Sequence, residues 1–528
     1  MLASSLSKRI TIIIIVIFVL YLALRDQLWS LETPVFLQEP LSSFTISTTH
    51  TTYSIPNDLT NLNDPIDTTD FTIPNTSKNP AIDETRISDI VRRLHEAAPP
   101  KLTEKAACVG RTLGIEEVTN DTERRDVTPV SDEQVETARL AHESAVDIIR
   151  NSTHLIPYKS GTKGIVTVAG GRFTGALIVS LRMLRRTNST LPVEVFMPNP
   201  EDYNEHTCEV VLPSLDARCV MIPKYEDLTI SKYQYKIFAV MLSTFEDVLF
   251  LDADNFPLVD PVEWFEAPVF KENGYVLWPD FWWATTSPHY FRVLGLPTPS
   301  LLSLGTTESG QVIMSKRTHS DVLLLVLYYN MFGPSFYYPL LTQCDAGEGD
   351  KETWLYAAIA LGRDYYQVRQ RNGIIGRHSV DGFIGSSMMQ HNPSDDYSEY
   401  LQEEKEQKEH PVYRKEKDAE IVFMHHNLIK LSPVEMINWI AKNKGSRMWG
   451  NKESTMKTFK GRDLEKTVWE ELLWVGCQCG ESLVNWTEDV CEGLMGHWGG
   501  IVAREAEEEI RKMFGVNKQA ATKERKEE

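Results

Sequence analysis

The sequence predicts an α/β fold with a mainly parallel central sheet, preceded by a transmembrane signal anchor and a stem. Three observations lead there. Strand patterns alternate with helical ones through roughly the first hundred residues of the globular region, the layout of a parallel sheet with crossover helices. Val248-Leu249-Phe250-Leu251 runs straight into Asp252-Ala253-Asp254-Asn255, a buried strand that ends in polar turn residues where open α/β sheets place their ligands. Lys8 and Arg9 precede an apolar block from Ile10 to Leu24, closed by Arg25 and Asp26, the pattern of a membrane-inserted N-terminus.

From the N-terminus onward, each element has its own justification. Fifteen residues from Ile10 to Leu24 rise about 22 Å as a helix, short for a plasma membrane but matched to a thinner secretory membrane with snorkelling flanks. Tyr21-Leu22-Ala23-Leu24-Arg25 offers no small-x-small cleavage site, so an uncleaved signal anchor is expected rather than a signal peptide. The boundaries follow as a cytoplasmic tail over 1–9, an anchor over 10–24, a lumenal, partly disordered stem over 25–153, a globular domain over 154–515 and a charged tail over 516–528. Ser42 to Ser77 is crowded with Thr, Ser, Asn and Pro and cannot bury enough surface to offset its ordering entropy. Asp132 to Ile149 reads as a helix with Val135, Leu140, Ala145 and Ile149 on one apolar face. The N-x-[ST] sequons at Asn75, Asn120, Asn151, Asn188 and Asn485 fit a lumenal chain.

Composition narrows the function classes. Lys and Arg number 54 against 74 Asp and Glu, a formal charge of −20, so no broad basic field favours nucleic acid. An anionic ligand needs local cations. The charged run from Asp395 to Glu420 reads as a solvated helix or surface insertion. Among the seven cysteines, Cys208 pairs plausibly with Cys219, and Cys491 with either Cys477 or Cys479; Cys477, Cys479, Cys491 and His497 offer a zinc site as the alternative.

The globular region opens with the strand Gly164–Ala169, the turn Gly170-Gly171-Arg172, and a helix containing Leu177, Ile178, Leu181 and Leu184. Strand, glycine turn and helix form the layout of a nucleotide-binding first unit, without the dinucleotide or P-loop spacing. Pro192 to Met197 and Arg218 to Ile222 read as the next strands and Gln234 to Leu242 as a helix. In an extended backbone residues i and i+2 point the same way, so Asp252 and Asp254 can converge on one hard divalent cation that bridges diphosphate oxygens.

Further along, the strand in Gly274–Trp278 leads to Asp280-Phe281-Trp282-Trp283, whose aromatic faces suit the C–H patches of a sugar as well as a core. Glu308-Ser309-Gly310-Gln311 precedes Val312-Ile313-Met314, and a long apolar helix ends at Tyr328-Tyr329-Asn330. Glu348 and Asp350 stand in the glycine-spaced run Asp345 to Thr353, which fits either a helix-capping arrangement or an acceptor site. Ile421 to Asn427 is a strand that ends in His425 and His426, imidazoles able to complete a metal shell or to serve structurally.

Together these motifs resemble the fungal Golgi α-mannosyltransferases that branch cell-wall mannan, glycosyltransferase family 71, and most closely the α-1,2-transferring members. The resemblance runs from about residue 163 to 500. It rests on Tyr235-Lys236-Ile237, Val248 to Pro257, Leu277 to Trp282, Glu308 to Gln311, Tyr338-Pro339-Leu340, Gly347 to Thr353 and His425-His426-Asn427. Trp354 stands where another aromatic such as Phe is expected. The resemblance implies a GT-A-type fold, a single-pass type II Golgi membrane protein with a lumenal catalytic domain, GDP-mannose as donor, Mn²⁺ as the ion, an α-1,6-mannan or N-glycan acceptor, and other Golgi mannosyltransferases as partners.

The residues then take expected roles. Asp252, Asp254, His425 and His426 are the metal candidates, and Gly170, Gly171, Arg172, Lys236, Asp252 and Gln311 the donor candidates. Asp280, Trp282 and Trp283 are expected at the acceptor sugar. Glu348 and Asp350 are expected to position the acceptor hydroxyl or stabilise positive charge at the anomeric carbon. An α-linked product from GDP-α-mannose requires retention of configuration, by a covalent intermediate or by same-face attack. The alternatives are an α-1,3-mannosyltransferase, another nucleotide-sugar transferase, or a non-catalytic lumenal glycan-binding accessory protein.

Overall fold

Residues 84–102, 104, 114, 117–119, 122–225, 228–380, 382–406 and 420–513 are described by the computed structural model of the protein. The expected tail 1–9, the anchor from Ile10 to Leu24, the charged tail over 516–528 and the sequons Asn75 and Asn120 lie outside them. Among the described residues no helix is long and apolar enough to cross a membrane. The expectation of a signal-anchored, single-pass type II Golgi protein is withdrawn accordingly.

The strands are β1 (Lys159–Val168), β2 (Val193–Met197), β3 (Ala217–Met221), β4 (Phe245–Leu251), β5 (Asn255–Pro257), β6 (Tyr275–Pro279), β7 (Thr307–Ser315), β8 (Tyr366–Gln367), β9 (Gly373–Ser379), β10 (Gly382–His391) and β11 (Ile421–His425). One sheet has the order β3-β2-β1-β4-β7-β6-β8 and the other β5-β11-β10-β9. The pairs β3–β2, β2–β1 and β1–β4 are parallel, as the alternation of strands and helices requires. The sheet as a whole is mixed, which corrects the mainly parallel expectation. β7 runs against both β4 and β6, and the second sheet is antiparallel throughout. The reversal has a local cause: β7 starts beside the end of β6, with Pro279 opposite Thr307, and returns to set Ser315 opposite Asp247. Its first residues therefore lie at the edge where β4 ends.

Side-chain alternation splits the core in two. Ile165, Val193, Val195, Leu249, Leu251 and Ile313 pack with the helices Thr174–Arg185 and Leu464–Gln478. Val166, Phe196, Val248, Phe250, Val312 and Met314 pack with Gln234–Leu242, Lys316–Met331 and Lys351–Leu361. The helix Gln234–Leu242 is held at its C-terminus by the buried Lys316, whose ammonium donates to the carbonyls of Pro157 at 2.7 Å and Ser243 at 2.6 Å.

Two helices from the stretch expected as stem, Glu84–Glu96 and Asp132–Arg150, contribute Ile90, Leu94, Ala138 and Ile149 to this second core. Tyr328 donates its hydroxyl to the Ala97 carbonyl at 2.8 Å, and His142 Nε2 meets the Tyr329 hydroxyl at 2.9 Å. Ser131 caps the second helix reciprocally with Gln134. Its buried stripe is Val135, Ala138, His142, Ala145 and Ile149, so Leu140, expected inside, is outside. Disulfides join Cys208 to Cys219 and Cys477 to Cys491, leaving Cys479 a buried thiol. Two of the four zinc-ligand candidates are thus bonded to each other, and His497 packs against Trp469.

Candidate metal centre

β4 stops at Leu251, so Asp252 and Asp254 stand in the turn between β4 and β5, where the Asn255 N–H donates to the Asp252 carbonyl at 2.9 Å. The turn, rather than an extended i, i+2 repeat, brings the two carboxylates together. Two neighbouring strands complete the centre. β11 pairs with β5 so that His425 lies opposite Asn255, and β7 brings Glu308 to the same edge. His425 Nε2 lies 3.4 Å from Asp254 Oδ1 and 3.8 Å from Asp252 Oδ2, while its Nδ1 lies 3.1 Å from Glu308 Oε1. Ligand atoms of Asp252, Glu308 and His425 fall within 4.8 Å of one another, a cluster able to hold a divalent ion.

Two lysines flank the carboxylates. Lys236, on the helix Gln234–Leu242, reaches Asp252 Oδ2 at 2.9 Å, the Ser309 hydroxyl at 3.1 Å and Asp350 Oδ1 at 3.9 Å. Lys430 pairs with Asp254 Oδ2 from the loop after β11. Burial alone would push these carboxyls up and the imidazole down. For Asp254 the opposing pull of His425 and Lys430 wins and holds it well below the usual carboxylate range. Glu308 is held at about 2 against its burial by His425 and Lys236. For Asp252 burial wins and its carboxyl is raised, in spite of Lys236 and His425. His425 is lifted to about 10 against its burial by Glu308 and Asp254. The packing leaves no slack at Gly310: a Cβ there would fall 2.6 Å from both Glu308 Oε1 and the His425 ring.

Asp350 precedes the helix Lys351–Leu361 and is buried. Its Oδ2 accepts the Trp354 indole N–H at 3.0 Å, and its carbonyl accepts the Thr353 N–H at 2.9 Å. Trp354, the departure from the expected Phe, supplies a donor that Phe lacks. Glu348 is exposed, and its Oε2 accepts the Cys344 N–H at 3.0 Å and the Thr342 hydroxyl at 3.2 Å; it closes its own loop. His426 is turned away from the cluster. Its Nδ1 meets the Ser387 hydroxyl at 2.8 Å, its ring stacks between Phe256 and Trp449, and burial pushes it down to about 3.

The remaining candidates separate. Gln311 is fully buried and accepts the Asn255 amide at 2.6 Å, which braces the β4–β5 turn from behind. Gly170, Gly171 and Arg172 follow β1, the neighbour of β4; Gly170 and Gly171 both have positive φ, and Arg172 is exposed over the Phe173 ring. Asp280 is buried in an ion pair with Lys351 at 2.5 Å. Trp283 is buried and donates to the Leu301 carbonyl at 2.9 Å, whereas Trp282 is half-buried. Asn151, Asn188 and Asn485 are exposed. Sequence reasoning missed Lys430 altogether and took Glu308 only as part of a motif. Lys430 stands five positions after His425, the one available signal.

Strand-end carboxylates and an imidazole form a cluster able to hold a divalent ion, and two lysines flank it. Residues 162–303 and 300–392 match the family model described as "Mannosyltransferase putative". The chain is 34% identical over 439 residues to Alpha-1,2-mannosyltransferase MNN21 of Candida albicans, covering 70% of this chain and 66% of that protein. It is 37% identical to MNN22 of the same organism, over 49% of this chain and 51% of the relative. It is 35% identical to MNN2 of Saccharomyces cerevisiae, over 48% and 50%. The chain thus belongs to the fungal α-1,2-mannosyltransferase family. It spans between half and two thirds of the length of these relatives.

Proposed function

We propose that this chain is a retaining α-mannosyltransferase that moves mannose from GDP-mannose to an α-1,6-mannan or N-glycan outer chain in α-1,2 linkage, with Mn²⁺ as its ion and residues 154–515 as the catalytic domain. Family membership supports a nucleotide-sugar donor and a mannan-type acceptor. The observation that carries the reading is the convergence of Asp252, Asp254 and His425 Nε2 beside Lys236 and Lys430.

The donor set fits the ion: carboxylates with one imidazole suit a hard to borderline divalent cation such as manganese. Asp252, Asp254 and His425 would hold it, and Glu308 would fix the imidazole through Nδ1. The bound ion supplies charge stabilisation to the diphosphate leaving group. The protein's own groups do the rest. Lys236 and Lys430 set fixed positive charge beside the carboxylates, where a diphosphate gains most from it. Asp350, oriented by Trp354, is the carboxylate assigned to the anomeric carbon or the acceptor hydroxyl. Glu348 is committed to its loop.

The test is nucleotide release from a panel of GDP- and UDP-sugars, with and without α-1,6-mannan oligosaccharide, Mn²⁺ and chelator. GDP release from GDP-mannose that needs both acceptor and ion is expected. Preference for a UDP-sugar would overturn the donor assignment. Glycan binding without turnover on any donor would favour an accessory protein.

A further inference from the structure

A cleft of about 1150 Å³ opens between the β9–β10 hairpin and the segment from Gly445 into the last helix. We propose that it holds the interior of the acceptor glycan, a neutral mannose polymer, while the reacting end occupies the metal centre. This rests on the mannan-type acceptor proposed above and adds where the chain lies and what recognises it.

Size is the first argument. A volume above the few hundred to about 1000 Å³ of small-molecule pockets suits an extended ligand. Charge is the second. Four basic side chains line the cleft (Arg377, Arg447, Lys452, Arg504) against four acidic ones (Glu453, Glu505, Glu508, Glu509). Lys452 meets Glu509 at 2.8 Å and Arg447 meets Glu505 at 2.6 Å, so the wall has no surplus of positive charge for a nucleotide or anionic headgroup. It offers paired charges and amides, the partners of hydroxyls. Aromatic surface is the third. Phe383 is 47% exposed and meets His378 edge-on at 5.3 Å between centroids, a platform for the C–H face of a sugar.

Continuity with the centre is the fourth argument. Ile374 lines the cleft and lies in the same cross-strand row as His425, since Met388 of β10 stands opposite both. Ile374, at the cleft, and Leu428, three residues past His425, flank Gly385: a Cβ there would lie 2.3 Å from Ile374 Cδ1 and 3.3 Å from Leu428 Cδ1. Both are strongly exposed, Ile374 at 43% and Leu428 at 57%. They form an apolar step from the cleft to the β11 end of the centre.

The experiment compares α-1,6-linked mannobiose and mannohexaose on the full chain. Calorimetric binding is measured without donor or ion, and transfer kinetics with both. Wild type should bind the hexaose at least ten-fold tighter than the biose. The double variant F383A/H378A, and separately R504A on the opposite wall, should reduce hexaose affinity to the biose level and raise its KM about ten-fold. Turnover and the biose parameters should stay unchanged, with melting curves confirming fold. Affinity independent of chain length, or hexaose binding unaltered in both folded variants, would overturn the proposal. Length-dependent, variant-sensitive binding without transfer would uphold the cleft and sink the enzyme reading. Transfer with no length dependence would do the reverse.

Discussion

Glu308→Gln isolates the contribution of a charge that local sequence pattern does not reveal. Gln keeps the shape and an acceptor oxygen for the Gly310 N–H, which Glu308 Oε1 accepts at 2.7 Å, and for His425 Nδ1 at 3.1 Å. Only the negative charge goes. Hydrogen bonds to charged groups contribute about 1.5–3 kcal/mol and neutral ones about 1 kcal/mol. The substitution should therefore cost roughly 0.5–2 kcal/mol of imidazole orientation and basicity, or about two- to thirty-fold in Mn²⁺ affinity. The upper part of that range meets the ten- to hundred-fold loss seen when the partner behind a metal-bound histidine is removed. Mn²⁺ titration followed by calorimetry, with melting temperature as the control for fold, reads the effect directly. Affinity within two-fold of wild type in a folded variant would refute the role given to Glu308.

Lys430→Met should act with the opposite sign on the ion: without nucleotide, Mn²⁺ affinity should hold or rise because no ammonium competes for Asp254, while the donor KM should rise about ten-fold; both unchanged in a titration and a donor series would exclude Lys430 from the site. Asp350→Asn keeps the acceptor for Trp354 and should lower turnover by about a hundred-fold or more with donor binding retained; calorimetry that shows donor binding lost as well would move Asp350 into the donor shell. Glu465 is fully buried, and burial pushes its carboxyl up to about 7 in spite of Arg447 and the Met448 and Trp449 N–H groups. Its folded value exceeds the unfolded one, so its contribution is fully present below the unfolded value near 4.5 and is lost as pH rises through 7. That is a loss of roughly 3 kcal/mol, and Glu465→Gln should flatten it; equal wild-type and variant differences in denaturant midpoint between pH 4.5 and 8 would contradict the assignment.

Local patterns in the sequence located the parallel half of the sheet, the helix Gln234–Leu242 to the residue, and the acidic pair after β4. They missed the direction of β7, because Val312-Ile313-Met314 has the same apolar pattern whichever way it runs. That direction is what delivers Glu308. They missed β9 and β10 because β10 carries Ser386, Ser387 and Gln390 as buried polar residues, which breaks the apolar alternation a strand is recognised by. The choice between the histidines was within reach: adjacent residues at a strand end face opposite sides. His425 and His426 therefore could not both join one cluster, and the structure turns His426 between Phe256 and Trp449. Leu140 failed for a similar reason, since the stripe Val135, Ala138, His142, Ala145 passes it by. A polar histidine held the helical position that an apolar residue was expected to fill.

Charge balance explains how such a centre is tolerated in a folded interior. Asp252, Asp254, Glu308 and Asp350 put four carboxyls around one small volume, which unpaired would cost several kcal/mol each. Lys236, Lys430 and the His425 imidazole answer them from three different elements. The balance brings the centre close to neutral rather than strongly acidic. A divalent ion among the carboxyls competes with these cations, which lose their partners as it binds. The positive charge released is then best used by an anionic diphosphate. On the function proposed above, the lysines that pair with these carboxyls would make ion and donor bind together more favourably than either alone, a positive coupling set by electrostatics rather than by movement of the fold.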